Sequence, residues 1–220
     1  MMYKTELHCH TSEGSGCSSE STADTIERYI KLGYTTVAIT NHFSDDDGRK
    51  YEYHDFVDHI FDVTELAKRC AAGRLNIISG IELRLNENNN DYLVYGVTRE
   101  LMHSVERDFF NVGVSDAHDF FRKNGCVFIQ AHPMRWGITT THPDVVDGYE
   151  IINTHYAWDS HNEVATLWAK TVKPDGIMTA GTDHHDVENT PTACIVTDFP
   201  ITTDGLLAET LLDKKFRIEL

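Results

Sequence analysis

The 220-residue chain predicts an α/β fold built on a mainly parallel sheet or barrel. Three observations carry that expectation. Strand-like and helix-like patterns alternate along most of the length. The strand-like runs are short, β-branched and apolar, as in sheets buried on both faces. Most of them are followed by His, Glu or Asp, which puts polar chemistry where α/β folds carry their active sites.

The elements follow in order. Residues 3–10 form a first strand, in which alternate side chains share a face, so His8 and His10 point the same way. Ser21-Thr22-Ala23-Asp24 resembles a capping box; Ala23, Ile26, Tyr29 and Ile30 then recur at helical spacing, and Gly33 is the stop. Residues 34–40 are a second strand ending in Asn41-His42. Residues 44–53 form a polar loop, and its Asp45-Asp46-Asp47 reads as solvated, since adjacent carboxylates seldom converge on one ion. A long helix spans residues 53–72, closed by Gly73. The third strand, 75–85, carries Gly80-Ile81-Glu82 near its end and pairs as a hairpin with a fourth, 91–98, across an Asn-rich turn. Residues 99–114 show no clear pattern, and Ser115 is expected to cap a helix over 116–124. The fifth strand, 126–131, runs into His132-Pro133, where proline ends the pairing. The sixth, 149–152, leads to Asn153-Thr154-His155. A helix over 160–172 precedes the seventh strand, 177–180, which ends in Gly181-Thr182-Asp183-His184-His185. Residues 192–196 are a further strand, and Thr203 caps a last helix to about residue 215. With no repeat, low-complexity tract or linker, residues 1–220 read as one domain.

Composition narrows the function classes. The N-terminal residues are not apolar enough for a signal peptide, and no window is apolar enough to span a membrane. Five scattered cysteines without a Cys-x-x-Cys pair suit reduced thiols and a cytoplasmic location. The net charge of −16 argues against long nucleic acid in a basic groove. Most of it reads as an acidic surface, and some as carboxylates gathered around metal ions.

The polar residues after the strands are His8 and His10, His42, Glu82, His132, His155, then Asp183 and His185. Each alone has a structural reading: His42 and His132 can end strands with a hydrogen bond, Glu82 can pair with Arg84 or Arg135, and Asp183 can cap a turn. Six separate strand ends make coincidence a poor account, because stray histidines would fall equally in helices and at the opposite end. The pattern implies two or three divalent ions held by nitrogen and oxygen, with zinc, manganese and iron all suitable. Such a site supports hydrolysis by supplying hydroxide near neutral pH and holding phosphoryl oxygens. Glu82 suits the bridging position, and Arg84 and Arg135 are candidate phosphate clamps. His54, His59, His118 and His161 read as surface or packing residues, and His103, His142 and His184 carry no assignment.

The order of motifs resembles the PHP family, named for polymerase and histidinol phosphatase. The matching segments are His8-Cys9-His10, Thr40-Asn41-His42, Gly80-Ile81-Glu82, His132-Pro133 and Asp183-His184-His185, and Glu150–Asn153 is similar to its Glu-x-x-Asn strand. The resemblance implies a distorted, TIM-like (β/α)7 barrel with the site at the carboxyl ends of the strands. By analogy His8, His10, Glu82 and Asp183 hold one ion, Glu82 and His132 a second, and His42 with His185 a third. The family places an Asp or His a few residues after His-x-His; here that position falls near Ser15, and Glu13 is the nearest carboxylate and the expected ligand. The family's histidine after the Gly-x-Glu strand is missing, with His103 a possible substitute. The implied activity is hydrolysis of a small phosphate monoester, as in histidinol phosphatases. His155, or Asp183 in a second role, would protonate the leaving group. Rival readings are an amidohydrolase or TatD-like nuclease, although no lysine occupies a mid-barrel strand end, and an inactive metal-binding regulatory domain.

Overall fold

The computed structural model describes residues 2–220. β1 (Tyr3–Cys9) leads through a loop to α1 (Thr22–Lys31), where Ser21 accepts the Asp24 N–H, half of the expected capping box, and the Ser21 hydroxyl, not its N–H, donates to Asp24 Oδ2. β2 (Thr36–Ile39) is fully buried, and β3 (His42–Phe43) follows it as an unexpected two-residue strand. In the loop before α2 (Tyr53–Ala71), Asp45 pairs with Arg107, Asp46 with Arg49 and Asp47 with Ser44, so the triple aspartate is spent on local contacts. β4 (Asn76–Arg84) and β5 (Asp91–Tyr95) form the expected hairpin.

The patternless stretch 99–114 contains α3 (Arg99–His103) and a 3-10 turn, Arg107–Asn111. α4 (Val114–Lys123) starts before Ser115, because Glu87 Oε2 accepts the Val114 N–H at 2.6 Å and supplies the cap from another loop. β6 (Val127–Gln130), β7 (Gly148–Asn153), α5 (Asn162–Val172), β8 (Ile177–Gly181) and β9 (Cys194–Thr197) lie close to their expected places. α6 (Asp204–Leu212) is capped by Thr203 but stops short of residue 215, and β10 (Arg217–Glu219) then pairs with β9.

The strands form one sheet in the order β10-β9-β1-β2-β4-β5-β6-β7-β8, with β3 beside β4. β1, β2 and β4 run parallel, as do β6, β7 and β8. Between them β5 is antiparallel to both neighbours, which breaks the regular βα succession. The sheet curls into a nearly closed barrel whose seam joins β8 to β1. There the His184 N–H donates to His8 O at 3.2 Å and the His10 N–H to His184 O at 2.9 Å.

The seam carries a buried carboxylate. Glu6 Oε1 accepts the N–H groups of Leu7, His8 and Thr182, and Oε2 accepts the Tyr29 and Thr182 hydroxyls. One apolar cluster joins Ile78, Leu93 and Ile129 to Leu207 and Leu211 of α6. Ile78 and Glu82 share a face of β4, so a strand that is apolar at one end presents a carboxylate at the other.

Candidate metal centre

Most of the strand-end residues converge. His8 Nε2 lies 3.1 Å from His10 Nε2. Glu82 sits between two sets of rings: Oε1 is 3.1 Å from His8 Nε2 and 3.2 Å from His132 Nε2, while Oε2 is 2.7 Å from His42 Nδ1 and 3.3 Å from His10 Nε2. Asp183 Oδ1 approaches His8, His10 and His185 at 3.3–3.4 Å. β3 explains His42: its pairing sets His42 directly beside Glu82.

The rings are aimed from behind. His8 Nδ1 bonds Glu150 Oε1 at 2.9 Å, which turns the Nε2 lone pair inward. His10 Nδ1 meets Ser15 Oγ at 2.9 Å; that hydroxyl donates onward to Asn41 Oδ1, so it accepts from His10. His185 Nδ1 donates to its neighbour's carbonyl, Asp183 O, at 2.9 Å. A side chain at Gly181 would meet His8 Cβ at 2.6 Å and Glu150 Oε1 at 2.7 Å, so β8 approaches the site this closely only with glycine there. His132 and Asp183 both have positive φ, 29° and 55°, a strain typical of functional sites.

His8 Nε2 and His10 Nε2, 3.1 Å apart, can face each other only with a proton or a metal ion between them. Glu82 Oε2 and His132 Nδ1 are buried without a hydrogen-bond partner. The donor set therefore fits divalent ions. Four groups can each hold one: His8, His10 and Glu82; His8, His132 and Asp183; Glu82, Asp91 and His132; and His10, His42 and His185. Burial pulls the His8 pKa down, but Asp183, Glu150 and Glu82 outweigh it and hold it well above the ordinary value. Burial pushes Glu82 and Asp183 up, and the surrounding positive groups, His8 foremost, win and hold both well below the usual carboxylate range. His185 is pushed down to about 3 by burial and the nearby His10.

Three expected residues stand elsewhere or are already engaged. Glu13 accepts the N–H and hydroxyl of Thr22 and caps α1, outside the cluster. Ser15 occupies the neighbouring position and orients His10. Arg84 spends both fork nitrogens on Asp91, at 2.7 Å each, so it positions a carboxylate and is not a free phosphate clamp. His103 pairs with Asp58, away from the centre. Arg135 reaches the centre and bonds Asp183 Oδ2 at 2.7 Å and Asn153 Oδ1 at 2.8 Å. His155 lines the same cavity of about 500 Å³ as Glu82 and His132. Its Nδ1 accepts the Ala157 N–H at 3.1 Å, which leaves Nε2 to carry the proton.

Sequence reasoning misses Asp91. It opens β5, opposite Arg84, and joins Glu82 and His132 where the family's histidine is absent. The hairpin register was its available signal. Glu150 is the second omission, visible only as part of the Glu-x-x-Asn resemblance; Asn153 Nδ2 donates to its Oε2 at 2.9 Å.

A barrel with a buried His, Glu and Asp cluster at one mouth defines a class of metal-dependent hydrolases. Within it, the PHP domain family model matches residues 6–184, and the chain belongs to that family of metal-dependent phosphoesterases. Solved structures agree in fold. A two-domain protein from Bacteroides vulgatus containing a predicted PHP-like metal-dependent phosphoesterase superposes with a TM-score of 0.69 at 14% identity, covering 100% of this chain and 65% of its own. An amidohydrolase from Chromobacterium violaceum gives 0.59 at 12% identity, covering 97% of each chain. A lesion-specific endonuclease from Pyrococcus furiosus gives 0.63 at 13% identity, covering 99% of this chain and 58% of its own. The chain thus spans about two thirds or less of the first and third of these. No curated protein matches it. Among the described residues, no helix is long and apolar enough to cross a membrane.

Proposed function

We propose that the chain is a phosphatase that hydrolyses a small phosphate monoester, using two or three zinc, manganese or iron ions held around Glu82. The observation that carries this reading is the placement of Glu82, whose two oxygens face different sets of histidine rings, as a bridge between adjacent ions requires. Divalent ions so held supply a hydroxide nucleophile at neutral pH and positive charge for the phosphoryl oxygens. His8, His10 and Glu82 would hold one ion, Glu82, Asp91 and His132 a second, and His10, His42 and His185 a third. Arg135 lines the cavity, tied to Asp183 through Nη2, and is the candidate phosphate contact.

For the leaving group the candidate is His155. Burial lowers its pKa, ahead of the opposing pull of Asp183, which favours the neutral ring. It would donate a hydrogen bond from Nε2 to the departing oxygen, and full proton transfer would require Nδ1 first to release the Ala157 N–H and take up a proton from solvent, so that the ring is left neutral. Asp183 is held ionised and fits a ligand better than an acid. The small cavity and the charge of −16 favour a small substrate over long nucleic acid. Five free cysteines suit the reducing cytoplasm.

The test combines metal analysis with phosphate release. Wild type should hold two or three ions, His42→Ala about one fewer, and glycerol phosphate should be hydrolysed only with metal present. A single ion unaffected by His42→Ala, with no phosphate released, would favour a mononuclear hydrolase instead.

A further inference from the structure

We propose that Trp136 and Trp158 form a stacking subsite for a planar aromatic ring on the alcohol side of the phosphate ester. This inference rests on the phosphatase reading and adds a substrate class to it. Trp136 is 87% exposed and Trp158 55%, yet both line the cavity that holds Glu82 and His132. The third tryptophan behaves differently: Trp168 packs on Tyr149 with ring centroids 4.6 Å apart. Two large apolar rings left in water at the mouth of a polar centre mark a binding surface.

The rings are placed by built structure. Trp136 is the second residue of a tight turn closed by the Ile138 N–H to Arg135 O at 3.1 Å, with Gly137 third at φ 84°, the position that favours glycine. The turn sends the Arg135 side chain inward and leaves Trp136 outside. Trp158 closes another turn, from its N–H to His155 O, while the Ala157 N–H holds His155 Nδ1. One guanidinium ties the two loops, since Arg135 Nη2 bonds Asn153 Oδ1 and the buried Ser160 Oγ. The backbone turns that carry both tryptophans are therefore anchored beside the metal centre.

The charges at the rim define what the ring carries. Beyond the cluster the cavity shows Arg84 and Arg135, both already engaged by carboxylates, and the acidic Asp186. No free cation stands ready for a second phosphate among the described lining residues. A neutral aromatic alcohol fits, and a cavity of about 500 Å³ takes one ring and one phosphate.

The experiment compares 2-phenylethyl phosphate with 2-cyclohexylethyl phosphate on the metal-loaded enzyme. The two alcohols are chemically matched at the reacting oxygen and differ in planarity. Wild type should favour the phenyl ester by roughly ten-fold in kcat/KM, mostly through KM. Trp136→Ala and Trp158→Ala should each bring that ratio toward unity. Leu167→Ala, on the exposed face of α5, should leave it unchanged. A wild-type ratio near unity, or a ratio that survives both tryptophan changes, overturns the proposal. If neither ester is hydrolysed, the phosphatase reading fails on its own, and calorimetry with the two matching phosphonates still decides. A tryptophan-dependent preference for the phenyl compound supports the subsite, and equal binding removes it.

Discussion

His184 and His185 are adjacent in the chain and belong to two different kinds of buried polar structure. His184 faces the seam, where its Nδ1 meets Asn189 O at 3.0 Å and its Nε2 meets Glu20 Oε2 at 2.6 Å. Arg28 then grips Glu20 through Nε and Nη2. Beside it Glu6 takes three backbone N–H groups and two hydroxyls. His185 turns instead to the metal centre, where Glu82 Oε2 and His132 Nδ1 lack partners. Both regions bury charge. The seam answers its charged groups, Glu6, Glu20 and Arg28, with other protein groups, and the centre aims its groups at a shared space. Burial alone thus does not mark a functional histidine; buried, convergent and unanswered atoms do.

The contrast is most exposed to test at Glu82. Glu82→Gln should lower kcat/KM by about a thousand-fold or more, corresponding to the several kcal/mol of charge stabilisation that bound cations supply. Metal analysis on the same protein should show ions lost. An active, metal-replete Glu82→Gln enzyme would end the distinction between the two regions. The neighbouring histidines give a sharper and smaller test. His184→Gln should cost about 2–4 kcal/mol in urea unfolding, because Glu20 and Arg28 lose a buried partner. Its ion content should match wild type. His185→Gln should reverse the pattern, with metal affinity down at least about ten-fold and metal-free stability nearly intact. Equal loss of metal in both variants would show that the seam and the centre are one unit.

The same contrast explains what the sequence discloses. The rule that polar chemistry follows the carboxyl ends of strands finds His8, His10, Glu82, His132 and Asp183, because their strands all run toward the site. It misses Asp91 because β5 runs the other way and brings its first residue to that same end. His42 was legible by motif, while the two-residue strand that sets it beside Glu82 was not. Glu13 drew attention as the nearest carboxylate. Its actual partner, Thr22, lies at the start of α1, a pairing set by tertiary packing and not by spacing. Segment 99–114 was unreadable because its helix and 3-10 turn are short and held by partners such as Asp45 and Asp58, far off in sequence.

Asp147 offers the smallest effect and carries the comparison to a third place. It accepts the Phe128 N–H on Oδ2 at 2.9 Å and faces His118 Nε2 with Oδ1 at 3.2 Å. Burial pushes its pKa up, but the His118 and Phe128 hydrogen bonds prevail and hold it below the ordinary 3.8. A depressed native pKa contributes stability that is complete above the unfolded value. That stability fades as pH falls from 3.8 through the native pKa, and is gone below it. Asp147→Asn should therefore lower unfolding free energy at pH 7 by about 1–2 kcal/mol, and the gap to wild type should narrow on the acid side of 3.8. Urea midpoints measured from pH 7 into that acid range read the difference directly. A gap that stays constant into acid would make the contact one of shape and not of charge. Metal content at pH 7 should equal that of wild type, since Asp147 is a carboxylate fully answered by its own fold.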